Sequence, residues 1–260
     1  MQKLPLSVFI ICKNEADRIH LPIESVREWV EEIIVVDSGS TDGTMERAEE
    51  LGATQVLFNE WPGYGPQKVF AENLCKNRWL LNLDADEACS PDLAEHLKQL
   101  FAKGEPADAL YSIRNTMVFP YEKEPRKFSP SGFFVRLYPK DKAGFKESIV
   151  HDSVIDKTDS LSTVRIEAAI HHSGFRNYAH MIEKMNFYSS QQAIDIVARG
   201  KKVSALRLIS EPFVMFPKAY FGRGYWRFGS EGFVHALFYA FNRTMRLAKA
   251  RELRKQQNQS

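Results

Sequence analysis

Four short runs rich in β-branched and aromatic residues, at 6–12, 32–37, 54–58 and 79–83, punctuate the first third of the chain, and helical patterns separate them. The runs are largely apolar rather than alternating, which predicts strands buried on both faces. Helical patterns occupy residues 16–30, with a possible break at Pro22, then a stretch ending near Leu51, then 67–77. Strand and helix in strict alternation predict an open, mainly parallel sheet with right-handed crossovers, flanked by helices. Ser38-Gly39-Ser40-Thr41-Asp42-Gly43 is turn chemistry in which Thr41 or Asp42 can cap the next helix.

The pattern changes after a helix at 91–102. Residues 109–119, 133–139 and 149–155 read as strands joined by basic, Pro- and Gly-containing loops, a mixed or antiparallel extension of the sheet. A helix follows at 178–199, and the last sixty residues are helical, aromatic and basic. The expected organisation is an α/β domain over residues 1–175, with a nucleotide-binding half at 1–100 and an acceptor-binding half at 101–175, and then a helical segment at 176–260. The length of 260 residues suits one large domain, or one domain plus an appendage. Cys12, Cys75 and Cys89 are widely spaced and fit neither a disulfide framework nor a zinc site, so the expected compartment is a reducing cytosol. Pro5 and Ser7 interrupt the first apolar stretch, which reads as a buried strand rather than a signal peptide.

Sheets of this kind bind ligands outside the carboxyl ends of their strands. Asn14-Glu15, Asp37 and Asp84/Asp86 all follow predicted strand ends. With strand geometry continuing through Trp79-Leu80-Leu81-Asn82-Leu83-Asp84-Ala85-Asp86-Glu87, the two aspartates share a face. Two hard oxygen ligands suit one divalent cation, Mg²⁺ or Mn²⁺, shared with substrate phosphates. There is no Gly-x-Gly-x-x-Gly after the first strand and no Gly-x4-Gly-Lys-Ser/Thr. Dinucleotide and P-loop chemistry thus lose their main support, which leaves a nucleotide whose diphosphate is held through a cation.

Three segments, Ser7-Val8-Phe9-Ile10-Ile11-Cys12-Lys13-Asn14-Glu15, Ile33-Ile34-Val35-Val36-Asp37-Ser38-Gly39-Ser40-Thr41-Asp42-Gly43-Thr44 and Asp84-Ala85-Asp86-Glu87, stand in an order that resembles the inverting family 2 glycosyltransferases of the GT-A fold. Gly65-Pro66-Gln67-Lys68, Val150-His151-Asp152 and the aromatic-basic tail are most similar to the lipopolysaccharide core β-glucosyltransferase branch. The resemblance implies that Glu15 and Asp37 contact the nucleotide, Lys68 the nucleotide or its diphosphate, Asp86 the metal, and Asp84 the ribose or the same cation. It further implies Asp152 as the base that deprotonates the acceptor hydroxyl, where relatives carry Glu, with Glu147 in reserve and His171-His172 as lesser candidates for the diphosphate or metal shell. The competing readings are a turn aspartate at Asp37, a surface lysine at Lys68, and a capping or salt-bridged carboxylate at Asp152. The implied reaction moves a hexose, glucose from UDP-glucose being the leading case, to a heptose of the lipopolysaccharide inner core. Another surface glycan, a polyprenyl phosphate or a polypeptide is the alternative acceptor, and a non-catalytic sugar-nucleotide-binding module the alternative class.

The net charge of +2 hides an asymmetry: residues 201–260 hold 12 Lys/Arg against 3 Asp/Glu. Aromatic residues such as Phe213, Phe216, Tyr220 and Phe221 interleave with Lys218, Arg223 and Arg227. That composition fits helices lying in a membrane interface, and no stretch has the length needed to span one. The expected setting is therefore the cytoplasmic face of the inner membrane, with peripheral contact to anionic lipid. No nucleic-acid motif accompanies the charge, so a nucleic-acid partner is not expected.

Overall fold

The computed structural model describes residues 3–148 and 153–257. Two compact units divide the chain. The first comprises residues up to Val118, Glu122–Pro125 and Ser131–Gly174, and the second Phe119–Tyr121, Arg126–Pro130 and the residues from Phe175 onward.

In the first unit the elements run β1 (Leu4–Cys12), α1 (His20–Val26), β2 (Val30–Asp37), α2 (Thr44–Glu50), β3 (Gln55–Phe58), α3 (Tyr64–Leu74) and β4 (Trp79–Asn82). They continue β5 (Glu87–Cys89), α4 (Pro91–Phe101), β6 (Ala109–Met117), β7 (Ser131–Pro139), β8 (Ala143–Phe145), β9 (Val154–Asp156) and β10 (Ser162–His172). Eight strands form one sheet in the order β3-β2-β1-β4-β7-β6-β10-β5. The first four pair in parallel, as the alternation predicts, and β7 joins antiparallel to both β4 and β6.

β1 shows why the sheet forms where it does. Leu6, Val8 and Ile10 point into one apolar layer with Ile23, Val35 and Leu93, while Phe9 and Ile11 point into the other with Val36, Leu80 and Phe145. Both faces are dry, so each such side chain contributes about 1.5–3 kcal/mol of burial. The polar residue in this strand, Ser7, is fully buried. Its hydroxyl donates to Glu32 and accepts the Asn77 N–H at 3.1 Å, and Glu32 accepts the Lys76 N–H at 2.8 Å. This satisfied network joins β1 and β2 to the turn before β4 at the sheet's amino edge.

Several elements differ from expectation. Of residues 16–30 only His20–Val26 is helical, and Pro22 lies in the first turn, where its missing N–H needs no partner. β4 stops at Asn82. The described part of the expected strand at 149–155 is β9, which pairs with β8 in a separate two-stranded ribbon; residues 149–152 lie outside the described residues. β10 is an eleven-residue strand beyond those the sequence pattern predicts, and it pairs parallel with β6 and antiparallel with β5.

The second unit is built on α5 (Tyr178–Ala198), α6 (Ala205–Pro217) and α7 (Gly229–Gln257). Asn177 and Ser204 cap α5 and α6, their side-chain oxygens accepting from His180 N and Arg207 N. The Lys249 ammonium on α7 donates to Asn186 Oδ1 at 2.7 Å and to the Ser189 and Ser190 hydroxyls at 2.8 Å, tying α7 to α5. His235 is 5% exposed and packs against Phe119 and stacks on Tyr225. Burial lowers its pKa to about 4, and the Glu231 carboxylate only partly opposes this. No helix among the described residues is long and apolar enough to cross a membrane.

Candidate active site

The loops after β1 and β2 are stitched to each other by the residues that made the sequence distinctive. Asn14 adopts a left-handed conformation (φ 54°), which asparagine tolerates better than most residues. Its N–H donates to the Ser40 hydroxyl at 2.7 Å, and its side-chain oxygen accepts the Thr41 N–H at 2.9 Å. One residue on, the Glu15 N–H donates to Thr44 Oγ1 at 2.8 Å, and the Ala16 N–H to Asp42 at 3.2 Å. Asp42 also accepts from the Thr44 N–H and hydroxyl. Partial burial disfavours its charge, but these bonds outweigh it and lower its pKa.

Asp37 is fully buried at the end of β2. One carboxylate oxygen accepts the Gly39 and Ser40 N–H groups at 2.8 and 2.7 Å, and the other accepts the Ser40 hydroxyl. The turn role weighed for this residue is therefore realised. Cys12 lies beside it, Sγ to Oδ2 3.5 Å, and burial together with the Asp37 charge pushes the thiol far above its ordinary pKa.

The acidic pair does not sit as an alternating strand would place it. Because β4 ends at Asn82, Asp84 and Asp86 fall in the turn leading to β5, and each meets its own set of cations. Asp84 accepts from Lys68 Nζ at 2.9 Å and from Arg136 Nη2 at 3.0 Å. Burial opposes its charge, but the guanidinium and the ammonium hold its pKa well below the usual carboxylate range. Asp86 is 7% exposed, with Arg18 Nη1 at 3.6 Å and His172 Nε2 at 3.5 Å. Burial disfavours protonated His172, yet the Asp86 carboxylate prevails and raises its pKa.

The cations are themselves buried and shared. Lys68, in the second turn of α3, is 1% exposed, which excludes the surface-lysine alternative. Its ammonium also donates to Asn82 Oδ1 at 3.1 Å and lies 4.8 Å from the Phe145 ring centre. Arg136 donates from Nη1 to Asn82 Oδ1 at 2.7 Å and from Nη2 to Glu87 Oε1 at 2.6 Å. Glu87 in turn accepts the Asp84 N–H at 2.9 Å and the Asn115 amide at 2.5 Å. Arg18 donates to Glu15 Oε2 from Nε and Nη2 at 2.9 and 2.6 Å and to the Ser173 carbonyl at 2.9 Å. Glu15, Arg18, Asp86 and His172 thus form one chain of contacts, and Lys68, Asn82, Asp84, Arg136 and Glu87 another, joined through the turn.

Arg18, Arg136 and Glu87 organise the pair but were not singled out from the sequence. For Arg136 a signal existed: it stands inside the apolar run Phe133-Phe134-Val135-Arg136-Leu137-Tyr138, where a charge demands a buried partner. Asp152 lies outside the described residues, and Glu147 is exposed beyond β8. His171 is half-buried, and burial lowers its pKa.

Two carboxylates in a turn fit a hard cation that takes its remaining ligands from water and phosphate. Among the described residues no group of three His, Cys, Asp or Glu side chains is placed to cage an ion unaided. Asp84, with its side chain 35% exposed, and Asp86 are the residues that would hold it.

Residues 7–164 match glycosyl transferase family 2. An uncharacterized glycosyltransferase of Rickettsia felis is 45% identical over 95% of this chain and 89% of its own length. The lipopolysaccharide core biosynthesis glycosyltransferase LpsC of Rhizobium meliloti is 33% identical over 92% of this chain and 90% of its own. A solved structure of glucosyl-3-phosphoglycerate synthase from Mycobacterium tuberculosis in complex with Mn²⁺ and UDP-glucose is 25% identical over 44% of this chain and 43% of that one. Its TM-score of 0.34 is too low to carry any position across. On the family match over 158 residues and the mixed sheet described above, the chain has a GT-A fold and belongs to glycosyl transferase family 2.

Proposed function

We propose that this glycosyltransferase is a divalent-cation-dependent inverting enzyme that transfers glucose from UDP-glucose to a heptose of the lipopolysaccharide inner core. The observation that carries the reading is the turn bearing Asp84 and Asp86, set by buried Lys68, Arg136 and Arg18 beside the loops of Glu15 and Asp37. The acceptor class is supported by likeness to a lipopolysaccharide core biosynthesis glycosyltransferase across nearly the whole chain.

Mg²⁺ or Mn²⁺ held by Asp84 and Asp86 supplies, when bound, a Lewis acid that offsets negative charge on the departing diphosphate. The chain's own residues do the rest. Lys68 lies near the amino end of α3, where helix N–H groups already favour anions. Glu15 is the carboxylate for the nucleoside, its position fixed by Arg18. Asp37 shapes the same loop and presents the uracil or ribose side of the site. Asp152 takes the proton of the attacking heptose hydroxyl as that oxygen approaches the anomeric carbon from the face opposite the diphosphate. Because the acceptor is anchored in lipid, the enzyme works peripherally on the cytoplasmic face of the inner membrane.

Calorimetric titration with UDP, with and without Mn²⁺, tests the site: affinity should depend on the cation, and indifference to it removes the metal role. Labelled UDP-glucose offered with truncated core acceptors tests the reaction, and label appearing only on another glycan or a polyprenyl phosphate rejects the acceptor. Asp152→Asn should lower transfer about 10²–10⁴-fold with UDP affinity unchanged. Full turnover in that variant moves the base to Glu147 or elsewhere.

A further inference from the structure

α6 carries its polarity on the wrong sides for a helix that faces water. Its carboxylate, Glu211, is 6% exposed and sits against α7, with Arg246 Nη2 at 3.4 Å and Arg243 Nε at 3.5 Å. On the outer side Leu206 is 77% exposed, Ile209 65%, Phe213 76% and Val214 55%. At 3.6 residues per turn these four lie within an arc of about 140°, interrupted by one polar residue, Ser210. An ordinary surface helix turns its apolar stripe inward and its charges outward. One exposed leucine means little, but a contiguous apolar face marks a surface that something covers.

The charges around this face say what covers it. Lys201, Lys202, Arg207 and Lys218 are exposed before, beside and after it, and Phe221 and Trp226 follow, each more than half exposed. Residues 201–230 hold six Lys/Arg and a single acidic residue, the buried Glu211. A second copy of the chain would bring the same positive rim against this one, and like charges would oppose the contact. An anionic lipid surface matches both halves of the pattern: acyl chains for the apolar face and headgroups for the rim.

We infer that α6 is a membrane-docking helix lying in the plane of an anionic bilayer, with Leu206, Ile209 and Phe213 inserted among the lipids. The preference for lipid over another apolar partner rests in part on the proposed lipid-anchored acceptor. The helix itself stands on the exposure of its face and the charge around it.

The test is co-sedimentation of the full chain with vesicles of phosphatidylcholine alone, and of phosphatidylcholine with roughly 30 mol% phosphatidylglycerol. The parent protein should bind the anionic vesicles far better than the neutral ones, and salt should weaken that binding. Leu206→Gln, Ile209→Gln and Phe213→Gln combined should lower partitioning about a hundredfold or more. The helical circular dichroism, UDP affinity and transfer to a delipidated core acceptor should not change. Lys201→Gln, Lys202→Gln and Lys218→Gln should each remove about fivefold of the anionic preference. Failure of the parent to bind either vesicle, or equal binding by the glutamine variant, overturns the docking helix. So does a lipid-independent dimer that the glutamine variant dissociates, because the face would then serve self-association. Vesicle binding without transfer to any core acceptor supports the helix and rejects the acceptor, which separates the two readings.

Discussion

In the α/β unit, Arg18, Lys68 and Arg136 are each less than a tenth exposed and each touches carboxylates. In the helical unit the side chains out in solvent include Leu206, Ile209 and Phe213, while the buried group is the carboxylate of Glu211. The first arrangement places charge where water has been excluded, and the second places hydrocarbon where water remains. Neither is what stability alone favours. Buried ion pairs are often no better than a packed apolar cluster, and exposed apolar area contributes nothing to folding. Each departure therefore points outward, the first to a polar ligand and the second to an apolar surface.

The contrast can be broken most sharply at the acidic turn. Asp86→Ala should reduce sugar transfer at least about 10²–10³-fold, on the scale of losing one positioned electrostatic group, read as label incorporated from UDP-glucose. If Asp86 holds the cation as proposed, the loss of kcat should be accompanied by loss of cation-dependent UDP affinity. Similar in size, Arg136→Met removes the guanidinium from Asp84 and Glu87 and should cost about 3–5 kcal/mol in chemical denaturation. Arg136→Lys keeps the charge without the fork and should fall between.

In the helical unit, besides Glu211, His235 is buried. Its pKa in the folded state is about 4, below the ordinary 6.5, so between these values the native protein binds fewer protons than the unfolded chain. Stability contributed by neutral His235 is present above pH 6.5 and is lost as the pH falls toward 4, a change of up to about 3 kcal/mol. A series of melts across this window should show the slope, and His235→Phe should flatten it. The smallest effect belongs to the outer face of α6: Leu206→Gln, Ile209→Gln or Phe213→Gln should each shift unfolding by no more than about 0.5 kcal/mol. Phe9→Ala, in the sheet core, should cost about 3–5 kcal/mol. A large loss at Phe213 would mean that the α6 face supports the fold after all.

The first four strands were legible because they are buried on both faces and so read as unbroken apolar runs. β10 was not. Ser162, Thr163, Val164, Arg165 and Glu167 are exposed, and of its residues only Ile166 and Ile170 are buried, so the local signal is confined to the short alternation Val164-Arg165-Ile166-Glu167. Pairing with β6 and β5 creates the strand, and that information is non-local. The motif residues were visible, but the work several of them do was not. The side chains of Asn14, Asp37, Asp42 and Thr44 accept the backbone N–H groups of Thr41, Ser40, Ala16 and Glu15, and so shape two loops. The pairing of Asp84 with Lys68 and Arg136 spans 16 and 52 positions of sequence, beyond the reach of any local pattern.

At the start of α3, Gly65 donates its N–H to the Ser148 carbonyl at 3.1 Å, and a β-carbon at this position would collide with the backbone of Lys146 and Ser148. Three residues along the helix is Lys68, and four residues beyond Ser148 is Asp152. α3, which carries the Lys68 ammonium, and the segment after β8 are thus seamed together with no side chain between them. A methyl group inserted there would act as a wedge, prising the first turn of α3 from the backbone of Lys146 and Ser148 without altering any charged side chain.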